Sequence, residues 1–340
     1  MESLYKNQID FISYMQRLLQ EGDFSSTYKF AFLHAIADIC IEKNVPEHTQ
    51  LKITFDEIVD KLITLYWQHA KPFFAENTGF LQGGILLQNS GRQAKIISDI
   101  IALQNSGVRN LTQAKSSVVW PQVYKNTMRT LKDGPLWRLQ ILSKSEDCYL
   151  FPHIKNRNFI LLNVGIADCF RQFHDLVVQF ARQGWIDKVT KIQENKAVIG
   201  KAGELSDFLF STTRNYLKPA SKLLKEIQSD LCFYCCKPLK DSAEVDHFIP
   251  FTKYNNDLGH NFILAHKSCN NNKRDYLAAP SHRDKWAEQN LVVNEKLITE
   301  ELSPYFTCDS KRSEQVASWA YGIAEKNGNK FWLAARDIFV

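Results

Sequence analysis

The sequence predicts an α+β protein in which a mostly α-helical N-terminal region (1–228) precedes a small zinc-stabilised strand–strand–helix finger (229–280) and a short helical C-terminal segment (281–340). Three observations carry this. Apolar residues recur at helical spacing through most of the first two hundred positions. Two Cys/His pairs, each with two residues between its members, lie between Cys232 and Cys269. Two short apolar runs of strand character sit between those pairs.

A chain of 340 residues, 44% of them hydrophobic, is long enough for two or three packed units. The net charge of +5 agrees with a nucleic-acid partner without requiring one. Between Arg92 and Arg157, eleven basic residues face four acids. A face that tracks a phosphate backbone has this composition, and so does an ordinary solvated surface. No secretory signal opens the sequence, and no run approaches the roughly 18 apolar residues that span a bilayer, so a soluble, cytoplasmic protein with no membrane partner is expected. In a reducing compartment clustered cysteines indicate metal rather than disulfides. Four of the eight cysteines crowd into residues 232–269; Cys40, Cys148, Cys169 and Cys308 stand alone and read as small core residues. The GxxxxGK[ST] phosphate loop of NTP hydrolysis does not occur.

The elements follow in order. Leu4, Ile9, Ile12, Met15 and Leu19 define a first helix that stops near Glu21-Gly22. Ser25, Ser26 and Thr27 offer N-caps to a second, running to about Lys43. Asp56 is placed to cap a third, carrying Ile58, Leu62 and Leu65. Ser90-Gly91 precedes a fourth, built on Ile96, Ile97, Ile100 and Leu103. Pro121, Pro135 and Pro152 then interrupt the pattern, and Tyr149 to Phe151 and Phe159 to Leu162 read as two short strands. Helical periodicity returns from about Gly165 to Gln193 and from Leu205 to Gln228, with Lys201-Ala202-Gly203 as a joint. Beyond the cysteines, Ser313 to Lys326 forms a helix with Val316, Trp319 and Ile323 on one face, and an apolar segment from Phe331 closes the chain.

Cys232 and Cys235, then His266 and Cys269, have the spacing of a zinc knuckle, in which a tight turn lets both members of a pair reach one ion at about 2.0–2.3 Å. Four protein ligands leave no place for water, so this zinc is structural. Cys236 is a neighbour, since its use would change the spacing. Ala243 to Pro250 reads as a strand entering a loop, Gly259 to Leu264 as a second strand, and Ser268 as the cap of a helix reaching Arg274. So small a module buries little core, and the metal supplies the missing folding free energy.

Here the sequence resembles the HNH endonucleases of the ββα-metal fold. The resemblance is carried by Cys232/Cys235, by Asp246-His247-Phe248-Ile249-Pro250, by Asn261-Phe262-Ile263-Leu264, and by Cys269-Asn270 with Lys273. His266 stands where many relatives carry cysteine, and histidine also binds zinc. Thr27-Tyr28-Lys29-Phe30-Ala31 and the segment from Gln88 to Gln93 are similar to phrases of bacterial HNH proteins of similar length, some suspected of acting against phage.

The resemblance implies a role for each residue. His247 is the general base that takes a proton from the attacking water, a task suited to an imidazole. Asp246 and Asn270 hold one catalytic Mg²⁺ or Mn²⁺, which contacts a phosphate oxygen and the leaving 3′ oxygen. Asn261 braces the loop that carries His247. Lys273 and Arg274, in the first turns of the helix, meet phosphate alongside its N-terminal amides. His260 is assigned to structure. Charges from Asp230 to Arg283 nearly cancel, so grip on the substrate is expected elsewhere, first at Arg92 to Arg157. The expected function is a metal-dependent endonuclease that nicks or cleaves DNA, as an effector of bacterial anti-phage defence or restriction, with a protein partner or homodimer controlling it. An RNA-cleaving effector and a catalytically silent nucleic-acid-binding module are the alternatives.

Overall fold

A computed structural model describes residues 2–74, 83–199, 205–210, 217–239, 243–334 and 338–339; the expected joint at 201–203 lies outside them. The chain divides into two units, Met1–Arg109 with Ala114–Ser211, and Asn110–Gln113 with Thr212–Val340.

Unit 1 is organised around the helix Tyr28–Glu42, which is apolar on every side and is therefore surrounded. Every residue from Lys29 to Ile41 is buried, mainly against the helices His174–Lys191, Phe55–Trp67 and Ile166–Gln172. A strand not anticipated from sequence, Leu51–Thr54, pairs antiparallel with Phe159–Leu162. Thr54 ends that strand and caps the Phe55–Trp67 helix in a reciprocal box with Glu57, so Asp56 lies inside the first turn instead of capping it. Pro121 does not break the chain. It sits in the first turn of Trp120–Asp133, where a missing N–H costs no helical bond. Tyr149 to Phe151 is not a strand, because the buried Gln140 amide takes its backbone groups: Oε1 accepts from Leu150 N and Phe151 N, and Nε2 donates to Phe151 O. Cys40 and Cys169 are core residues as expected. Cys148 is not: it lies partly exposed beside Glu146 and His153, with Sγ 3.1 Å from Glu146 Oε1.

Charge is buried in this unit. Asp38 meets His174 Nε2 at 3.1 Å and Lys61 Nζ at 3.6 Å, and Lys61 also pairs with Glu42. Burial pushes His34 down to about 3 and His69 to about 4. Both therefore stay neutral in the fold at pH values where an unfolded imidazole, titrating near ~6.5, is charged. His174 is raised: burial opposes this, and hydrogen bonds to Asp175 and Asp38 outweigh it, so its contribution is already complete below that pH. Asp38, held low against its own burial by Lys61 and by its hydrogen bond with His174, stays ionised throughout. Between pH ~6.5 and ~4 the unfolded chain thus takes up protons that His34 and His69 refuse, and stability falls as pH falls. Urea titrations across this range are expected to lose up to about 1.4 kcal/mol per pH unit for each of the two residues. His69→Gln should flatten that slope, and an equally steep slope in the variant would contradict the assignment.

In unit 2, Ala243–His247 and Phe262–His266 form an antiparallel hairpin, registered from Ala243 opposite His266 to His247 opposite Phe262, and the helix Lys267–Lys273 follows at once. The helix Lys218–Ile227 covers the second strand: Ala220, Leu223 and Leu224 pack with Phe262, Leu264, Ile298, Leu302 and Phe306. Gln228 acts as a further strand partner, with Nε2 donating to Leu264 O at 2.7 Å and Oε1 accepting from Leu264 N at 2.8 Å. The chain after the finger returns to it. Trp286 stacks on Phe248, with ring centroids 4.8 Å apart and planes 8° from parallel, and its Nε1 donates to His260 O at 2.9 Å. Asn290, in the π-helical turn Ala287–Val293, donates through Nδ2 to His260 O and Phe262 O at 3.0 and 2.8 Å. Among the described residues, no helix is long and apolar enough to cross a membrane.

Candidate active site

The donor atoms of Cys232, Cys235, His266 and Cys269 all lie within 4.8 Å of one another. His266 Nε2 donates to Pro238 O at 3.0 Å, which leaves Nδ1 unprotonated and 3.3 Å from Cys235 Sγ. That is the tautomer a metal ligand needs. Burial pushes the Cys232 thiol up, but backbone amides of Cys235, His266 and Tyr234 more than offset it, and the net shift is downward. Burial and the neighbouring Cys232 and Cys235 push Cys269 up. Three thiolates converging on one imidazole repel one another until a cation joins them, and this donor set fits tetrahedral Zn²⁺. Cys236 stands outside the cluster, exposed, in a left-handed conformation (φ 56°), with Sγ 3.3 Å from Lys285 Nζ.

His247 ends the first strand of the hairpin, edge-on to Phe262 and beside Phe251, with its side chain 13% exposed. Its Nε2 lies 2.7 Å from Asp257 Oδ1. A carboxylate only accepts, so Nε2 carries the proton and Nδ1 keeps a lone pair. The sequence reading missed Asp257. It sits in a polar run, Asn255-Asn256-Asp257, that reads as a turn, yet a hairpin must bring the ends of its connecting loop together. A carboxylate ten residues after His247 was the available signal. Asn261 holds the same loop from the other side: Oδ1 accepts from Ile249 N at 2.8 Å, Nδ2 donates to Ile249 O at 2.9 Å, and its own carbonyl accepts from Phe248 N at 2.8 Å. His260 is buried, with Nε2 donating to Glu295 O at 3.2 Å, a packing role.

The helix meets the first strand in a fixed register. Asn270 Nδ2 donates to Glu244 Oε2 at 3.1 Å, and one turn later Lys273 Nζ donates to Asp246 Oδ2 at 3.0 Å. Tyr234 also donates to Asp246 Oδ2, at 2.6 Å; burial, and then the Asp246 charge, pushes its phenol well above the usual range and keeps it a donor. These bonds use one end of each candidate metal ligand. Among the described residues no donor occupies Asp246 Oδ1 or Asn270 Oδ1, so each still offers the hard oxygen that a divalent cation prefers.

Three expectations need correcting. Lys273 does not meet phosphate: its side chain is 0% exposed, and its ammonium is committed to Asp246 and to His247 O at 3.0 Å. The helix has only seven residues, so Lys273 closes its last turn and Arg274 follows it, neither of them beside its N-terminal amides. Arg274 is exposed just past the end, with φ 51°. Ser268 does not cap the helix, because His266 holds the cap position and no side chain bonds there.

A hairpin and a short helix, joined by a Cys₃His cluster and carrying an imidazole at the end of the first strand, define a zinc-knuckle ββα-metal finger. Residues 232–275 match the family model for HNH endonuclease, so the chain carries an HNH endonuclease domain in unit 2. No curated protein and no solved structure matches the chain.

Proposed function

We propose that the HNH domain is a metal-dependent endonuclease that hydrolyses phosphodiester bonds of DNA. The observation that carries this is the His247–Asp257 pair, held on a loop that Asn261 ties at Ile249. Nδ1 of His247 takes the proton from the water that attacks phosphorus. Asp257 holds the ring in the required tautomer and stabilises the imidazolium formed, much as a carboxylate orients the histidine of a catalytic triad. Asp246 and Asn270 would hold one Mg²⁺ or Mn²⁺ through their remaining oxygens. When bound, that ion neutralises charge developing on the phosphate and on the leaving 3′ oxygen. Lys273 and Tyr234 fix the Asp246 carboxylate so that little reorganisation accompanies the reaction. The two unit 1 phrases similar to those of bacterial HNH proteins support a setting in phage defence.

The test is conversion of supercoiled plasmid to nicked or linear forms by the zinc-loaded chain with added Mg²⁺ or Mn²⁺, set against EDTA and against a structured RNA. Metal-dependent DNA cleavage is expected. Cleavage of RNA alone would transfer the same chemistry to the other substrate, and a chain that binds both and cleaves neither would be a binding module. Asp257→Asn is expected to lower kcat by about 10- to 100-fold, the worth of a hydrogen bond to a charged group, with KM little changed. A change confined to KM would remove Asp257 from the proton transfer.

A further inference from the structure

Unit 1 contains a cleft of about 780 Å³ that the nuclease chemistry does not use. Six cationic side chains line it (Lys29, Arg92, Lys95, Arg129, Arg138 and Lys188) against two carboxylates, Asp23 and Asp133. Four of the six already have a partner: Arg129 with Asp133 at 3.3 Å, Lys95 with Asp99 at 2.6 Å, Lys188 with Ser90 Oγ at 3.1 Å, and Lys29, whose Nζ lies 5.3 Å from the centre of the Phe24 ring. Among the described residues no carboxylate forms an ion pair with Lys29, Arg92 or Arg138. Lys29 is only 7% exposed. Its ammonium is pushed below its usual range by burial and by the Arg138 charge, which Asp23 opposes without pairing. A largely buried ammonium without a carboxylate partner is favoured by an anion entering the cleft.

The wall is rigid. Thr27 N donates to Gln88 O at 3.2 Å, and Ser26 and Asn89 form a bridge, so the two unit 1 segments singled out in the sequence, from Thr27 and from Gln88, meet here. Gln88 Oε1 accepts from Trp185 Nε1 at 2.7 Å. Gln93 Oε1 accepts from Gln88 N and Ala94 N at 3.2 and 2.9 Å. Between these anchors a turn with Gly91 at φ 74° presents Ser90 and Arg92.

We infer that this cleft binds a small molecule of nucleotide size carrying two or more phosphates. Guanidinium forks at Arg92, Arg129 and Arg138 suit phosphate oxygens, and hydroxyls at Ser25, Ser90 and Thr130 add donors. Its volume falls in the range of small-molecule sites, about 300–1,000 Å³. A nucleic-acid strand would need a row of free cations along a face. Part of the remaining basic stretch is already engaged: Lys115 pairs with Asp60, while Lys132 and Arg157 lie over the rings of Phe55 and Phe159.

Pyrophosphate and ATP, titrated separately by calorimetry into the zinc-loaded full-length chain in magnesium-free buffer, test this. Saturable binding at one site per chain is expected, weakened at least about tenfold by Arg138→Glu and by Arg92→Glu, each removing a charge-assisted hydrogen bond. Both arginines are exposed, so the variants keep the fold. His247→Ala should bind as wild type does, which separates this site from the nuclease. No saturable binding of either probe, or binding equal in both arginine variants, overturns the proposal. So does Arg138-dependent binding seen only with a single-stranded oligonucleotide, which would make the cleft a strand groove.

Discussion

His247→Ala is expected to lower the rate of the proposed metal-dependent plasmid cleavage by about 10²- to 10⁴-fold, the usual worth of general-base catalysis. The size follows from the geometry: Asp257 fixes Nε2 as the proton-bearing nitrogen, so removing the ring removes the lone pair that this pairing places on Nδ1 at the end of the strand. The variant should fold. His247 is partly solvent-exposed, and the loop bonds run through Asn261, Ile249 and Phe248, not through the imidazole. The decisive comparison measures cleavage and DNA binding together in wild type and variant. Lost cleavage with retained binding establishes the base. Equal cleavage in the two proteins would end the role assigned to His247.

Zinc removal is expected to produce the second large effect. The finger's hairpin has two five-residue strands, and one wall of its small core is the knuckle itself, with Cys232 fully buried and Phe233 N donating to Leu264 O at 3.0 Å. Structural zinc contributes on the order of 10–16 kcal/mol of apparent binding free energy in comparable fingers, more than a typical domain's whole stability. A strong zinc chelator, or Cys232→Ser, is therefore expected to unfold unit 2. Near-ultraviolet dichroism reads this through Trp286 and Trp332, both buried there. Metal analysis should give one zinc per native chain. Unchanged tertiary dichroism after complete zinc loss would show that packing alone holds the finger.

The finger was legible because its residues act at short range. Two-residue spacings bring ligand pairs together, and strand alternation with a following helix sets the register of Asp246 and Asn270. The long loop was not legible in the same way: Asp257 reaches His247 only once the hairpin closes, and nothing local distinguishes it from a turn residue. Lys273 misled for a related reason. A lysine beside an asparagine-rich turn reads as surface, and only the three-residue step from Asn270 reveals that it faces Asp246 in the core. In unit 1 the helices followed their apolar periodicity, whereas Leu51–Thr54 is too short to show an alternation and depends on Phe159–Leu162, more than a hundred residues away. The basic stretch from Arg92 to Arg157 was visible as composition. The gathering of Arg92, Lys95, Arg129 and Arg138 at one cleft was not.

The packing of Trp286 and Asn290 sets a limit on modularity. The family match ends at Asp275, but the carbonyls of His260 and Phe262, at the far end of the loop that bears His247, are satisfied by side chains 11 or more residues beyond that border. A finger excised at the border could keep its zinc and hairpin yet lose the brace that fixes its base. Transplanting the HNH domain onto another carrier would therefore require the chain through at least the π-helical turn, and loss of that tail by proteolysis is expected to abolish the proposed cleavage without removing His247, Asp246 or Asn270.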